Sequence, residues 1–226
     1  LQKKRKTVRV FLILTPVIGL KIGITSADPK ILGGGIAPDG AITYQVSLQN
    51  VGSHFCGGSI IDPKWVITAA HCTIKYEEEG LILIAVGINK LSSKGKHYTP
   101  DKVIIHEKYD EKLLDNDISL VKIDPGIELN SRVQPVRLPT ADTKPGDTLT
   151  LTGWGRTSVS RNIQSQSFFF VFSCHGDSGG PLVRNGSLAA VVSWGPKSCG
   201  HSLVFPDVNT RIYSFIDWIK EKMNNN

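Results

Sequence analysis

An all-β domain closed by a C-terminal helix is the fold class this sequence predicts, and three observations predict it. From Ile31 onward, short β-prone runs alternate with Gly, Pro, Asn and Asp punctuation, the pattern of a sandwich or barrel. Beyond Arg211 the apolar period changes: Ile212, Phe215, Ile216 and Ile219 fall at i, i+3, i+4 and i+7, one face of a helix ending near Met223. The 226 residues are 40% hydrophobic and 20% charged, enough to fill the core of one large or two small domains and unlike a disordered chain.

The predicted strands are, in order, Tyr44–Leu48, Ser59–Ile61, Trp65–Thr68, Leu81–Val86, Lys102–Ile105, Ile118–Ile123, Thr148–Thr152, Leu182–Val183 and Leu188–Ser193. No internal repeat interrupts them. One segment is compositionally odd. Ser167–Ser173 holds four phenylalanines in five positions without a charge, a window that resembles an aggregation-prone segment more than a half-buried strand.

The net charge of +6 is confined to the first thirty residues, where seven basic side chains face Asp28 alone; the remainder carries 19 of each sign. The basic pI therefore gives no reason to expect nucleic-acid binding. Lys3 to Arg9 is a basic stretch followed by an apolar run, Val10–Leu20, too short to span a bilayer, and then by the small residues Thr25-Ser26-Ala27. Residues 1–27 thus read as a secretion signal and the protein as extracellular, not membrane-bound; the competing reading of the apolar run is a buried strand. Four cysteines, Cys56, Cys72, Cys174 and Cys199, admit three pairings, and export favours disulfides. Their spacing suits no zinc site, and neither metal nor cofactor is expected.

Three short motifs carry chemistry: Thr68-Ala69-Ala70-His71-Cys72 after a β run, Asp115-Asn116-Asp117-Ile118 before another, and Gly176-Asp177-Ser178-Gly179-Gly180-Pro181 in a glycine-rich turn. A serine hydroxyl is a poor nucleophile until an imidazole takes its proton. The imidazole in turn needs a carboxylate to hold its tautomer and stabilise its cation. Each residue alone has a plain structural reading, as a core histidine, a cap or a turn serine. Together and in the order His, Asp, Ser they specify nucleophilic acyl transfer.

With these motifs the chain resembles the chymotrypsin-like serine proteases, in detail the arthropod digestive enzymes. The resemblance runs from Ile31 to about Thr157 and from Cys174 to Lys220, supported by Ile31-Leu32-Gly33-Gly34, Phe55-Cys56-Gly57-Gly58-Ser59, Gly153-Trp154-Gly155 and Ser193-Trp194-Gly195. It implies two antiparallel six-stranded β-barrels with a C-terminal α-helix, the active site lying between them, over residues 31–226. It implies His71 as base, Asp117 as its orienting carboxylate, Ser178 as nucleophile, and the N–H groups of Gly176 and Ser178 as the oxyanion hole. Residues 28–30 become a short activation peptide, cut after Lys30 by a trypsin-like protease so that the Ile31 ammonium pairs with Asp177. Disulfides Cys56–Cys72 and Cys174–Cys199 follow from the same resemblance. So do a monomeric state, protein or peptide substrates and serpin-type inhibitors.

The chain departs from the family in one place. Asp117 and Ser178 are 61 positions apart, about thirty fewer than the family template, and the shortfall lies between Gly155 and Cys174. The second barrel is therefore expected to be incomplete between residues 156 and 173. Phe-Phe-Phe-Val-Phe-Ser is what a thymine-rich splice acceptor tract encodes, and Val159-Ser160 fits a donor, so Val159–Ser173 reads as intronic sequence replacing a lost exon, the alternative being a real deletion in a diverged protein. The alternatives to an active endopeptidase are an inactive binding protein on the protease fold and a mis-spliced chain without activity. The substrate pocket would comprise Phe172, Ser193, Trp194, Gly195 and Asp207. Phe172 holds the pocket-base position, and Asp207 could attract a basic side chain or be a turn carboxylate beside proline. The Pro-Asp-Val stretch and the Tyr213–Ile219 tail instead favour large apolar side chains before the cut. Asn185-Gly186-Ser187 is a glycosylation sequon, and Glu77-Glu78-Glu79 reads as a solvated loop.

Overall fold

A computed structural model describes residues 6–10, 35–74, 82–155, 173–195 and 207–226. In chain order the strands are β1 (Lys6–Val10), β2 (Gly35–Ile36), β3 (Gln45–Asn50), β4 (Ser53–Asp62), β5 (Trp65–Thr68), β6 (Leu83–Val86), β7 (Lys96–Tyr98), β8 (Lys102–Ile105), β9 (Ser119–Lys122), β10 (Leu149–Gly153), β11 (Pro181–Arg184), β12 (Ser187–Trp194) and β13 (Val208–Arg211). A four-residue helix, α1 (Ala70–Thr73), follows β5, and the chain ends in a 3-10 turn over Ile212–Phe215 and helix α2 (Ile216–Asn225). Each of the nine predicted strands coincides with one of these elements, and the i, i+3, i+4, i+7 stripe becomes the 3-10 turn and α2.

The strands form two antiparallel sheets, ordered β7-β6-β3-β4-β5-β9-β8 and β13-β12-β11-β10-β1-β2. The first has seven strands where six were expected, because the polar segment Lys96–Tyr98 pairs with β6 as a short edge strand. Buried Val46, Leu48, Ile60, Ile67, Ile84 and Leu120 belong to the same core cluster as Leu188, Val191, Ile212 and Ile219, so the two sheets and the terminal helix share one interior. Glu107 fastens α2 to the end of β8. It accepts hydrogen bonds from Trp218 Nε1 (2.8 Å) and Lys222 Nζ (2.5 Å). Chiefly the Lys222 bond, against a smaller opposing effect of burial, lowers its carboxyl to about 2.

The second sheet is thinner. Among the described residues its separate inner cluster holds Leu151, Leu182, Ala190 and Val192, with Leu149 beside them. The segment 156–172, where the family places further strands, lies outside the described residues. On that side β10 pairs along its whole length with β1, from Lys6↔Gly153 to Val10↔Leu149, and β1 pairs in turn with the two-residue β2. Lys6–Val10 belongs to the stretch read from sequence as the basic part of a leader; here it covers the edge of β10.

An uncovered strand edge recruits other chains, so weakening β1 should be read out as association. In the full chain, Val8→Pro removes a ladder donor opposite Leu151; it is expected to raise light scattering severalfold during refolding from denaturant. Unchanged scattering would rule out β1 as the cover of β10.

Candidate active site

His71 sits in α1, the single turn that follows β5. Its register is fixed from both sides. Cys72, the next residue, is disulfide-bonded to Cys56 on β4, while Thr73 Oγ1 donates to Ser119 Oγ on β9 (2.9 Å) and Ser119 Oγ to Ala69 O (3.2 Å). Two residues before β9 stands Asp117, 1% exposed. Its Oδ1 accepts the backbone N–H of His71 (2.9 Å) and its Oδ2 accepts Nδ1–H of the same residue (2.7 Å). From the second sheet, Ser193 on β12 donates its hydroxyl to Oδ2 (2.5 Å), and Thr210 on β13 donates to the Asp117 carbonyl (2.8 Å).

Burial alone would raise the Asp117 carboxyl. The His71 hydrogen bond and charge, with the Ser193 hydroxyl, outweigh it and hold the group below its ordinary value. A carboxylate accepting several short donors keeps its charge in a buried place. Because Nδ1 donates to Asp117, the neutral ring presents a lone pair at Nε2, the arrangement a general base requires.

The Ser178 turn is held between the sheets by backbone bonds: Gly57 N–H donates to Ser178 O (2.7 Å), Gly179 N–H to Val192 O (2.7 Å) and Val192 N–H to Gly180 O (2.9 Å). Gly179 has φ +74°, and a Cβ there would collide with Thr68 Oγ1 and the Gly57 carbonyl. Glycine is required on both counts. Ser178 and His71 line one cleft of about 210 Å³. The Ser178 hydroxyl makes no hydrogen bond to the ring, whose Nε2 is 3.5 Å from Cys72 Sγ. In this turn the Asp177 N–H bonds Cys174 O (2.8 Å), while those of Gly176 and Ser178 have no acceptor among the described residues.

Asp177 is as buried as Asp117. Its Oδ1 accepts Gly155 N–H (2.7 Å) and its Oδ2 accepts Cys174 N–H (3.0 Å). A Cβ on Gly153 or Gly155 would overlap this carboxylate, so the glycines flanking Trp154 are explained by the acid they surround. Ile31, its expected partner, lies outside the described residues, as do Phe172 and Cys199. Cys174 is disulfide-bonded.

One residue at the site has no sequence signal at all. His54 Nε2–H donates to Gly176 O (2.8 Å), Nδ1 accepts from Ser47 Oγ (2.8 Å), and the ring packs edge-on against Trp154 with centroids 5.5 Å apart. It holds the Gly176–Asp177 peptide, the unit next to the one that carries the Gly176 N–H, across 122 positions of sequence. Nothing in the surrounding strand distinguishes it from a polar edge residue. The one His/Cys group with metal-like spacing among the described residues is Cys56, His71 and Cys72; its two sulfurs are joined to each other and are not thiolate ligands.

The comparisons with known proteins agree with this geometry. The family model described as Trypsin matches residues 31–219. This chain belongs to the trypsin family of serine-type endopeptidases. Among its relatives are Serine protease 1 of Homo sapiens, 36% identical over 244 residues with 92% of this chain and 96% of that protein covered, and the trypsin of Xenopus laevis, 34% identical with 96% and 99% covered. Chymotrypsin-2 of Vespa crabro is 36% identical over 222 residues, covering 84% of this chain and 99% of that one. Membership in the trypsin family makes peptides or proteins the substrate class. Among the described residues no helix is long and apolar enough to cross a membrane.

The Asp117 arrangement sets a pH signature for stability. A carboxyl lowered by folding stabilises the fold above its unfolded value, here 3.8, and that contribution is lost as pH falls through the lowered folded value. Denaturant midpoints of the parent and Asp117→Asn, measured from neutral to strongly acid pH, should therefore differ most at neutral pH and converge below 3.8. A gap independent of pH would contradict this.

Proposed function

We propose that the chain is a secreted endopeptidase, exported by residues 1–27, with β1 pairing β10 only while that leader is attached, held as a zymogen by residues 28–30 and activated by cleavage after Lys30. The observation that carries the catalytic reading is the Nδ1–H bond from His71 to buried Asp117 in a cleft shared with Ser178. In the reaction, Ser178 Oγ attacks the scissile carbonyl carbon while its proton passes to His71 Nε2. Asp117 keeps Nδ1 protonated and stabilises the imidazolium without taking the proton. The developing oxyanion is bound by the N–H groups of Gly176 and Ser178, each such donor contributing about 3–4 kcal/mol in the transition state. His71 returns the proton to the departing amine, and water then repeats the sequence on the acyl-enzyme. The missing Ser178–His71 hydrogen bond does not oppose this, since such bonds often close only around substrate.

Zymogen control is supported by the burial of Asp177 beside the nucleophile and by the start of the family match at residue 31. A trypsin-like protease suits the cut after Lys30. The freed ammonium of Ile31 would pair with Asp177, and a buried pair of that kind costs about 3–5 kcal/mol to break from one side, enough to couple cleavage to the order of the Gly176 turn. Serpin-type inhibitors fit a cleft that accepts a substrate-like loop. A monomer is consistent with large apolar side chains exposed singly, such as Val51, Leu113 and Tyr213.

A serine-directed phosphonate probe tests the proposal directly. The full chain, cut after Lys30, is expected to be labelled, and Ser178→Ala is not; His71→Ala should slow labelling by about 10³-fold or more. A soluble, folded, cleaved parent that takes no label would overturn it.

A further inference from the structure

We propose that Asn185 is a site of N-linked glycosylation whose first sugar seats against Tyr213. This rests on the proposed export of the chain, because the donor, a lipid-diphosphate-linked oligosaccharide, is met on the secretory route. Asn185-Gly186-Ser187 is the one Asn-x-Ser/Thr triplet in the sequence. The register Arg184↔Ser187 between β11 and β12 leaves Asn185 and Gly186 as a two-residue hairpin loop. Their φ values, +48° and +75°, are those of a type I′ turn, so Asn also answers a backbone need here. That need does not occupy the side chains. Asn185 and Gly186 are exposed, and neither the Asn185 amide nor the Ser187 hydroxyl makes a hydrogen bond among the described residues. Arg137 holds the loop by its carbonyls instead, Nη2 donating to Asn185 O (3.0 Å) and Nε to Gly186 O (3.5 Å). The backbone is thus fixed, and the two groups that define an acceptor are left free.

The surroundings suit a sugar. Asn185 and Ser187 line one cavity of about 260 Å³ together with Arg137, Arg184 and Tyr213. Tyr213 is 44% exposed, and the face of its ring is an electron-rich surface on which sugar C–H groups can stack. Both cations of the cavity are engaged, Arg184 with Asp147 (2.5 Å) and the Asp142 carbonyl (3.0 Å), Arg137 with the loop. A neutral, hydroxyl-bearing ligand fits such a wall better than an anion, which would have to displace those bonds. In the transfer, Asn185 Nδ2 gives up one proton and bonds C1 of the donor sugar. The bond from C1 to the diphosphate oxygen breaks, and the lipid diphosphate leaves with its electron pair. The attached glycan is bulky and solubilising, and it would cover a ring that otherwise faces water.

Import of the full chain into microsomes tests the site, once behind its own residues 1–27 and once with a foreign export signal placed before Leu1. Protease-protected chain is expected to carry one glycan, seen as a single gel shift that a glycan amidase removes. Ser187→Ala, which leaves the Asn-Gly turn in place, should lose the shift, and Ser187→Thr should keep it. Protected chain without the shift, or a shift that survives in Ser187→Ala, overturns the site. A shift obtained only behind the foreign signal supports the site while removing the export reading of residues 1–27. The seat is read from the rate at which the amidase releases the glycan from the folded parent and from folded Tyr213→Ala. Release from the parent should be severalfold slower, and the two chains should become equal once denatured. Equal rates from the folded chains overturn the seat against Tyr213.

Discussion

A single buried carboxylate decides how the two sheets of this protein meet. Asp117 precedes β9 in the first sheet, yet one of the three donors to its carboxylate, Ser193, comes from the second, as does Thr210, the donor to its backbone carbonyl. The other two are the backbone and ring of His71. An ionised carboxylate removed from water costs several kcal/mol unless its lone pairs are taken up. Here they are, but only when α1, β9 and β12 are all in place. The requirement acts as a test of correct assembly: misregister at any one of these elements strands a charge in the interior. The same bonds fix the ring that a nucleophile at Ser178 would use, so the structural and chemical demands on Asp117 coincide.

The glycine turn around Ser178 extends this coupling. Gly57 and Val192, from opposite sheets, grip the turn through its backbone. Asp177 is drawn inward among glycines that leave no room for a side chain, and His54 holds the carbonyl of Gly176 from β4. The site is thus built from main-chain bonds and absent side chains as much as from the three residues that define it chemically.

Much of this was legible in the sequence. Residue type and order singled out His71, Asp117 and Ser178 as candidates, and periodicity located nine strands and the terminal helix. The resemblance supplied Cys56–Cys72. Four strands were not found, for physical reasons. Lys96–Tyr98 and Val208–Arg211 are short and polar, and acquire strand geometry only from the neighbour they pair with. Gly35–Ile36 has too few residues to show a period, and Lys6–Val10 carries charges that matched an export leader. His54, Ser47 and Thr210 escaped notice because their roles depend on contacts across many positions of chain, and nothing local marks them. The shortened stretch before Cys174 was visible as a deficit in spacing. The pairing of β1 along β10 and the four-residue inner cluster among the described residues of the second sheet required the fold.

The central claim is that buried Asp117 holds the proton of His71 at Nδ1. Proton NMR of the folded chain tests it most directly, because a ring N–H in a short bond to a carboxylate resonates far downfield and exchanges slowly. One such resonance is predicted in the parent, assigned to His71 by ¹⁵N labelling and absent from Asp117→Ala. A His71 ring that is protonated only at Nε2, or whose Nδ1 proton is indifferent to the loss of Asp117, would contradict the account.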